Sequence, residues 1–216
     1  SKRSWEFRLD TLGNFFKNNN KNCFTNQIHS NSIITGSELY NSNNINADGI
    51  VGDKSNQNLW IYSADCMPIL FADKSNRKVA AIHCGRKGIE KKIIIKSINL
   101  LEKLGSLRKN LLVSIGPSIS MRNYNLNKQL LQKFHDNIKA KETKFLSECE
   151  IKEKVLNLHL IIERNSQRIN LRKHAYLQLI NENIQPQNIE ISNLCTFEIS
   201  IGLDRVIQVH KNSEIK

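Results

Sequence analysis

The sequence has no long hydrophobic run, and no stretch approaches the roughly 20 consecutive apolar residues that an α-helix needs to cross a bilayer. The first ten residues, SKRSWEFRLD, also lack the apolar centre of a secretory signal. With 216 residues, 39% of them hydrophobic and 24% charged, the chain has the size and composition of one globular domain with a full core. We therefore predict a single domain over residues 1–216, in a cytoplasmic protein without a membrane partner.

The sequence also gives no indication of a disulfide framework. It has five cysteines, an odd number, and they are scattered along the chain rather than regularly spaced. They are Cys23, Cys66, Cys84, Cys149 and Cys195. We expect reduced thiols, as is usual in a cytoplasmic protein.

Acidic residues are few relative to basic ones. There are 20 Asp and Glu against 32 Lys and Arg, which gives a formal net charge of +12 at pH 7 and admits a polyanionic partner. The excess is concentrated in residues 74–109, where eleven Lys or Arg against two Glu account for +9 of that charge. No aromatic residue lies among these cations and no nucleic-acid-binding motif is present, which argues against a nucleic-acid partner.

Short apolar runs alternate with segments whose apolar residues recur every three or four positions, as in strands and amphipathic helices respectively. Pro68 marks a break between two apolar runs, and Gly105 stands where the most regular helix is expected to end. Asn-rich segments at 17–22 and 40–48 are expected to be surface loops. This alternation predicts an α/β or α+β domain. The predicted strands are 5–9, 59–62, 69–72, 78–83, 111–115 and 189–192, and the predicted helices are 89–104, 126–134 and 171–183.

Three segments contain residues that can bind a metal or act as a nucleophile. His29, Cys66 and His83 would supply two imidazoles and one thiolate, with which zinc forms a tetrahedral site that keeps one open position. Alternatively, Cys66 is a nucleophile and one of the two histidines is its base. The three residues are separated by 37 and 17 positions, so nothing local forces them together. From the pattern alone, a packed cysteine and two ordinary histidines form a third alternative.

Five short motifs occur one after another between residues 27 and 120. They are Gln-Ile-His-Ser at 27–30, Ala-Asp-Gly at 47–49, Ser-Ala-Asp-Cys-Met-Pro-Ile at 63–69, Val-Ala-Ala-Ile-His-Cys-Gly-Arg-Lys-Gly at 79–88 and Gly-Pro-Ser-Ile-Ser at 116–120. In these motifs the sequence resembles the multicopper polyphenol oxidoreductase (laccase-domain) family, whose members are also described as purine nucleoside phosphorylases. That family reads Gln-Val-His-Gly, Ala-Asp, Thr-Ala-Asp-Cys-Leu-Pro-Val, Val-Ala-Ala-x-His-Ala-Gly-Trp-Arg-Gly and Gly-Pro-x-Ile-Gly.

The resemblance implies a fold, a metal site and an activity. The fold would be an α/β (α+β) sandwich, a single domain of mixed β-sheets with flanking helices. The metal ligands would be His29, Cys66 and His83, and the metal would be zinc, with copper in the older laccase interpretation. The activity would be phosphorolysis of adenosine, inosine, guanosine or methylthioadenosine, with adenosine deamination in addition. The partners would then be a purine nucleoside and phosphate, and we expect a monomer or a homodimer.

Residues beside the three ligands receive further assignments. Lys87 and Arg86 are candidates for binding phosphate, through their charge and the start of the following helix. They stand where the family has Trp-Arg, and a lysine offers a point charge in place of the planar fork of arginine. Asp65 either orients a histidine as a hydrogen-bond acceptor or fixes the turn before Cys66. Cys84 should point away from its neighbour His83, as a packed thiol.

Three other functions compete with a zinc-dependent nucleoside phosphorylase. The first is a metal-free cysteine hydrolase or deamidase-like enzyme that uses Cys66 and a histidine. The second is a copper-dependent polyphenol oxidoreductase. The third is a catalytically decayed protein that binds polyanions through the basic stretch at 74–109.

Overall fold

The computed structural model describes residues 20–42, 44–134 and 168–198, together with the backbone of a strand at Val206–His210. The predicted strand at 5–9 lies outside these residues. The described strands are β1 (Lys21–Cys23), β2 (Ile33–Thr35), β3 (Gly49–Val51), β4 (Gln57–Tyr62), β5 (Met67–Asp73), β6 (Val79–Cys84), β7 (Leu111–Ile115), β8 (Ile189–Ile191) and β9 (Val206–His210). The described helices are α1 (Arg86–Glu90), α2 (Ile93–Lys103), α3 (128–134) and α4 (Leu171–Asn181). Within the described part of the chain, no helix is long and apolar enough to span a membrane.

The strands form two mixed sheets. The larger sheet has the order β2-β3-β6-β5-β7-β8, with parallel pairs at its two ends and antiparallel pairs between them. The smaller sheet has the order β1-β4-β9, with one parallel and one antiparallel pair. With helices packed on the larger sheet, this architecture confirms the predicted α/β (α+β) sandwich.

The larger sheet lies between two apolar clusters, because successive residues of a strand point to opposite faces. In β6, Ile82 and Cys84 belong to the cluster that also contains residues of α2 and α4. Val79 and Ala81 belong to the other cluster, with residues of β1 and β4. His83 therefore points toward the smaller sheet, and Cys84 is a fully buried thiol on the opposite face, as predicted.

One predicted loop is partly a strand, and one predicted break is shorter than expected. The sequence predicts a loop at 17–22, but Lys21–Cys23 forms β1, because it pairs in parallel with β4 and buries Cys23. The predicted break between the runs 59–62 and 69–72 is present at 63–66, between β4 and β5, but Pro68 lies outside it, as the second residue of β5. A proline is tolerated there because it lies near the start of the strand, and its carbonyl still accepts a hydrogen bond from Gly116 N–H at 2.9 Å.

The predicted helix at 89–104 is divided in the structure. Its first residues belong to α1, and Lys92 adopts a left-handed conformation, with φ 61°, just before α2 begins. Ile89 and Ile93 lie on either side of this break, and both are fully buried in the same apolar cluster. Burial of both side chains outweighs the continuity of the helix, since most helix stability in proteins comes from packing.

The predicted end of this helix at Gly105 is confirmed. Gly105 has φ 94°, a conformation that glycine adopts without a steric penalty. Its N–H donates to Glu102 O at 2.9 Å, and Ser106 N–H donates to Leu101 O at 3.0 Å. This pair of hydrogen bonds is the Schellman motif, which satisfies the last carbonyls of a helix.

Arg108 connects the end of α2 to α4, and its removal should destabilise the fold modestly. Its Nε and Nη2 donate to the two Glu102 carboxylate oxygens at 2.8 and 2.9 Å, and its Nη1 donates to Glu182. We expect Arg108→Ala to lower the free energy of unfolding by about 1 kcal/mol, because the pairs are bidentate but partly exposed. Urea unfolding measures this change, and Lys109→Ala, at an exposed neighbour, is the control. Equal unfolding midpoints for Arg108→Ala and the wild type would contradict the prediction.

Candidate metal centre

His29 lies in a tight turn that is built around one carboxylate. The backbone N–H groups of Ile28, His29 and Ser30 all donate to the carboxylate of Asp48, at 3.3, 3.0 and 2.6 Å. The Ser30 hydroxyl donates to the same group at 2.7 Å. His29 has φ 58°, in the left-handed region that is uncommon for residues with a Cβ. The Asp48 carboxylate therefore compensates an unusual backbone conformation and fixes the turn from which the His29 side chain projects.

His83 is bound to the same aspartate. Its backbone N–H donates to the Asp48 carbonyl at 2.7 Å, and its Nδ1 lies 2.9 Å from Asp48 Oδ1. A carboxylate at Nδ1 orients the ring and leaves Nε2 available as a ligand atom. Asp48 thus positions both histidines, although they are 54 residues apart.

Cys66 is the last residue before β5, and it packs directly against Gly85. A Cβ atom at position 85 would lie 2.5 Å from Cys66 Sγ, closer than real Cβ contacts allow. Gly85 has φ −91°, so the backbone alone would accept other residues. The requirement for glycine is therefore steric, and it comes from the thiol.

The three predicted ligands converge in the structure. The ligand atoms of His29, Cys66 and His83 all lie within 4.8 Å of one another. The two imidazole rings meet edge to face, with centroids 4.8 Å apart and an interplanar angle of 85°. Burial increases from the exposed His29 through the half-buried Cys66 to His83, which is 6% exposed, so the centre opens to solvent on the His29 side. This set of ligand atoms, two imidazole nitrogens and one thiol sulfur, fits a zinc ion. The Asp48 carboxylate, which is hydrogen-bonded to His83, is the kind of partner that orients a metal-binding histidine.

The protein environment shifts the pKa values of these groups in different directions. Burial by itself would lower the pKa of His83, but hydrogen bonds and charge from Asp48 and Cys66 outweigh it and raise the pKa to about 9. Burial opposes ionisation of Asp48, yet hydrogen bonds from His83 and Ser30 lower its pKa to about 2. Burial and the neighbouring His83 lower the pKa of His29. Without a metal, this environment therefore favours protonated His83 beside ionised Asp48, and it favours the neutral, metal-binding form of His29.

Comparisons with known proteins identify the family. The profile of a family described as multi-copper polyphenol oxidoreductase laccase matches residues 8–200. The chain belongs to this family. A purine nucleoside phosphorylase of Synechocystis sp. is 28% identical over 183 residues, which are 80% of this chain and 69% of that protein. A purine nucleoside phosphorylase of Campylobacter jejuni is 34% identical over 119 residues, 54% of this chain and 51% of that protein. The aligned regions thus span between half and about two thirds of these two relatives.

Two solved structures share the fold of this chain. A Neisseria meningitidis protein superposes with a TM-score of 0.67 and 22% identity, over 90% of this chain and 70% of that one. A Bacillus licheniformis protein superposes with a TM-score of 0.66 and 24% identity, over 86% of this chain and 68% of that one. At this level of identity the similarity concerns the fold alone.

The remaining predicted site residues of this laccase-domain protein have other contacts. Asp65 Oδ1 accepts a hydrogen bond from Thr196 Oγ1 at 2.6 Å, which agrees with the alternative in which Asp65 fixes the turn before Cys66. Its role as a histidine partner stays a prediction, and the carboxylate at His83 is that of Asp48. Arg86 is paired with Glu90, whereas Lys87 is exposed at the same end of α1.

Sequence reasoning assigned no role to Asp48 or Gly85, although both belong to the motifs that the laccase-domain family shares. Ala-Asp-Gly at 47–49 was the shortest of these motifs and contains no obvious metal ligand. Asp48 is fully buried, and a buried carboxylate needs several donors, which the turn at 28–30 and His83 supply. The sequence signal that could have indicated this role is the position of Asp48 between Ala47 and Gly49, directly before a buried strand.

Asp48→Asn is expected to weaken metal binding without unfolding the protein. Asparagine keeps one acceptor oxygen, but its amide would face donor groups, so the His29 turn and the His83 ring would lose their fixed orientation. Substitutions of groups that orient metal ligands cost about 10–100-fold in affinity, and we expect a loss in that range. Competition with a chromophoric zinc chelator measures it. Asp53→Asn is the matched control, because Asp53 also accepts from a backbone N–H and a hydroxyl, both of Ser37. Equal affinities for the two variants would contradict the prediction.

Proposed function

We propose that this chain is a zinc-dependent purine nucleoside phosphorylase. The observation that carries the proposal is the convergence of His29, Cys66 and His83 within 4.8 Å, despite their separation in the sequence. The names of the Synechocystis and Campylobacter relatives support the reaction class. Candidate substrates are adenosine, inosine, guanosine and methylthioadenosine, with adenosine deamination as a second activity.

The three converging residues would hold the metal, and other groups would keep them in place. A bound zinc ion would supply Lewis acidity and positive charge that favour an ionised oxygen nucleophile. Asp48 keeps both histidines oriented, and its hydrogen bond at His83 Nδ1 increases the basicity of the ring. Gly85 leaves the space that the Cys66 thiol occupies.

Phosphorolysis also requires a cation for the phosphate. A phosphate oxygen attacks C1′ of the ribose while the bond from C1′ to the purine nitrogen breaks, so phosphate must lie beside the sugar. Lys87 is exposed, and its positive charge contributes to the lowered pKa of His29, which supports a role for it at the open side of the centre. Arg86 shares its charge with Glu90, so it offers less to an anion. We assign phosphate binding to Lys87 first and to Arg86 second.

The test is metal analysis combined with a product assay on the purified protein. We expect about one zinc ion per chain, and phosphate-dependent release of hypoxanthine from inosine that a chelator abolishes and added zinc restores. Incubation with adenosine reports deamination in the same assay. Copper in place of zinc, with oxidation of a phenol and no hypoxanthine, would favour the polyphenol oxidoreductase. Absence of bound metal and of any product would refute the proposal.

A metal-free cysteine enzyme is the second candidate, and one observation favours it. The ligand atoms of Cys66 and His83 lie within 4.8 Å of each other, and His83 Nδ1 is hydrogen-bonded to Asp48. This is the order of nucleophile, base and orienting carboxylate in cysteine hydrolases. A thiol-reactive probe would then label Cys66 faster than Cys84, and chelator would not change the rate. Protection of Cys66 by added zinc would instead support the metal-dependent enzyme.

A further inference from the structure

The loop that carries Cys66 is tied to two segments far from it in the sequence. Thr196 Oγ1 donates to Asp65 Oδ1 at 2.6 Å, and Ile119 N–H donates to the Asp65 carbonyl at 2.9 Å. The Ser63 hydroxyl donates to the Cys66 carbonyl within the loop. The residue immediately before the candidate ligand is therefore held through both its side chain and its main chain.

Thr196 is in turn connected through Ser118 to an arginine of α4. Thr196 N–H donates to Ser118 O at 3.1 Å. Arg172 donates through Nη2 to Ser118 O and to Leu194 O, both at 2.5 Å, and through Nε to Ser118 Oγ at 2.9 Å. Arg172 is 6% exposed and Thr196 is 4% exposed, so this network lies inside the protein. The guanidinium group carries several N–H donors in a rigid fork, so it can bind two chain segments at once.

Sheet pairing alone does not fix the Cys66 thiol. The ladder between β5 and β6 begins at Met67, opposite Cys84, so Cys66 lies one residue before the first paired position. Its orientation depends on the loop that precedes it. A displacement of about 1 Å is enough to disable a catalytic centre, so the contacts that hold Asp65 have a direct consequence for the ligand set.

We propose that Thr196 is a positioning residue for Cys66. Through Asp65 it keeps the thiol at the point where the ligand nitrogens of His29 and His83 converge, and Arg172 keeps Thr196 in place. The inference rests on the proposed metal-binding function of the three ligands. It gives a role to a residue that is 130 positions away from the ligand it serves.

The hydroxyl of Thr196 can be tested by itself. Thr196→Val removes the hydroxyl at nearly constant volume, and Thr196→Ser keeps it. The readouts are zinc affinity, by competition with a chromophoric chelator, and the thiolate-to-cobalt charge-transfer band of the cobalt-substituted protein. We expect the valine variant to bind zinc about tenfold more weakly and to show an altered band, and the serine variant to behave as the wild type. Thr35→Val is the matched control, because it also removes a threonine hydroxyl that donates to a carboxylate: Thr35 Oγ1 lies 2.8 Å from Glu38 Oε2.

The outcomes separate this inference from the proposed function. If the wild type shows no thiolate-to-cobalt band, the metal-binding function of Cys66 fails, and the positioning role fails with it. If the wild type shows the band and Thr196→Val leaves both band and affinity unchanged, only the positioning role is refuted. Should Thr196→Val not fold, Asp65→Ala provides the same test, because Asp65 is exposed and is the acceptor of the same bond.

Discussion

Replacing Cys66 with alanine is expected to lower the bound zinc from about one equivalent per chain to less than about one tenth. The thiolate is the one anionic donor among the three converging ligands. Without it, two imidazoles remain, and His83 still binds a proton in competition with the metal, because the hydrogen bond to Asp48 raises its pKa. A two-imidazole site should not retain zinc through gel filtration in the presence of a mild chelator. Phosphate-dependent release of hypoxanthine should fall in proportion to the lost metal.

The neighbouring cysteine provides the control for this experiment. Cys84 is the neighbour of His83 in the sequence, but it is fully buried on the opposite face of β6, in the apolar cluster that contains residues of α2 and α4. Cys84→Ala should therefore bind zinc as the wild type does, at a modest cost in stability from the lost packing. Circular dichroism establishes that both variants are folded. Full zinc content in Cys66→Ala, or its loss in Cys84→Ala alone, would exclude the proposed ligand set.

Much of the fold could be predicted from local patterns, and the misses have physical causes. The strands at 59–62, 78–83 and 111–115 were predictable because largely buried strands are short, apolar and bounded by turn residues. The break at Lys92 was not, because helix periodicity continues across it and only the packing of Ile89 and Ile93 decides where the chain bends. Helix periodicity reports which face is apolar, whereas the bend depends on the surface against which that face packs.

Local sequence patterns predict even less of the geometry of the candidate centre. Residue types and motif order pointed to His29, Cys66 and His83, but their convergence depends on long-range strand pairing. His83 enters the site because β6 lies between β3 and β5, and Cys66 enters because β5 starts opposite the end of β6. Asp48 and Thr196 were harder to predict, since each acts through hydrogen bonds to residues that are distant in the sequence. Such partners follow from the tertiary structure and not from any spacing rule.

Replacing Gly85 with alanine is expected to disable the centre while leaving the fold intact. The new Cβ would lie 2.5 Å from Cys66 Sγ, so the thiol must rotate or shift away from the histidines. Because the φ of −91° is acceptable for alanine, the backbone has no reason to unfold. A displacement of about 1 Å at a catalytic centre can cost about a hundredfold in activity, and we expect kcat/KM for inosine phosphorolysis to fall by at least that factor.

Glycine substitutions elsewhere separate a steric effect at the thiol from a general loss of stability. At Gly52 a Cβ would lie 3.3 Å from Val79 Cγ2, a tight contact that involves none of the three ligands. Gly52→Ala should therefore change the unfolding midpoint slightly and leave zinc affinity and kcat/KM close to the wild-type values. Gly85→Ala should show the reverse, a nearly unchanged midpoint with a weakened zinc affinity and an altered thiolate-to-cobalt band. If Gly85→Ala keeps both the band and the activity, the prediction is wrong, because the position of the Cys66 thiol then does not limit the reaction.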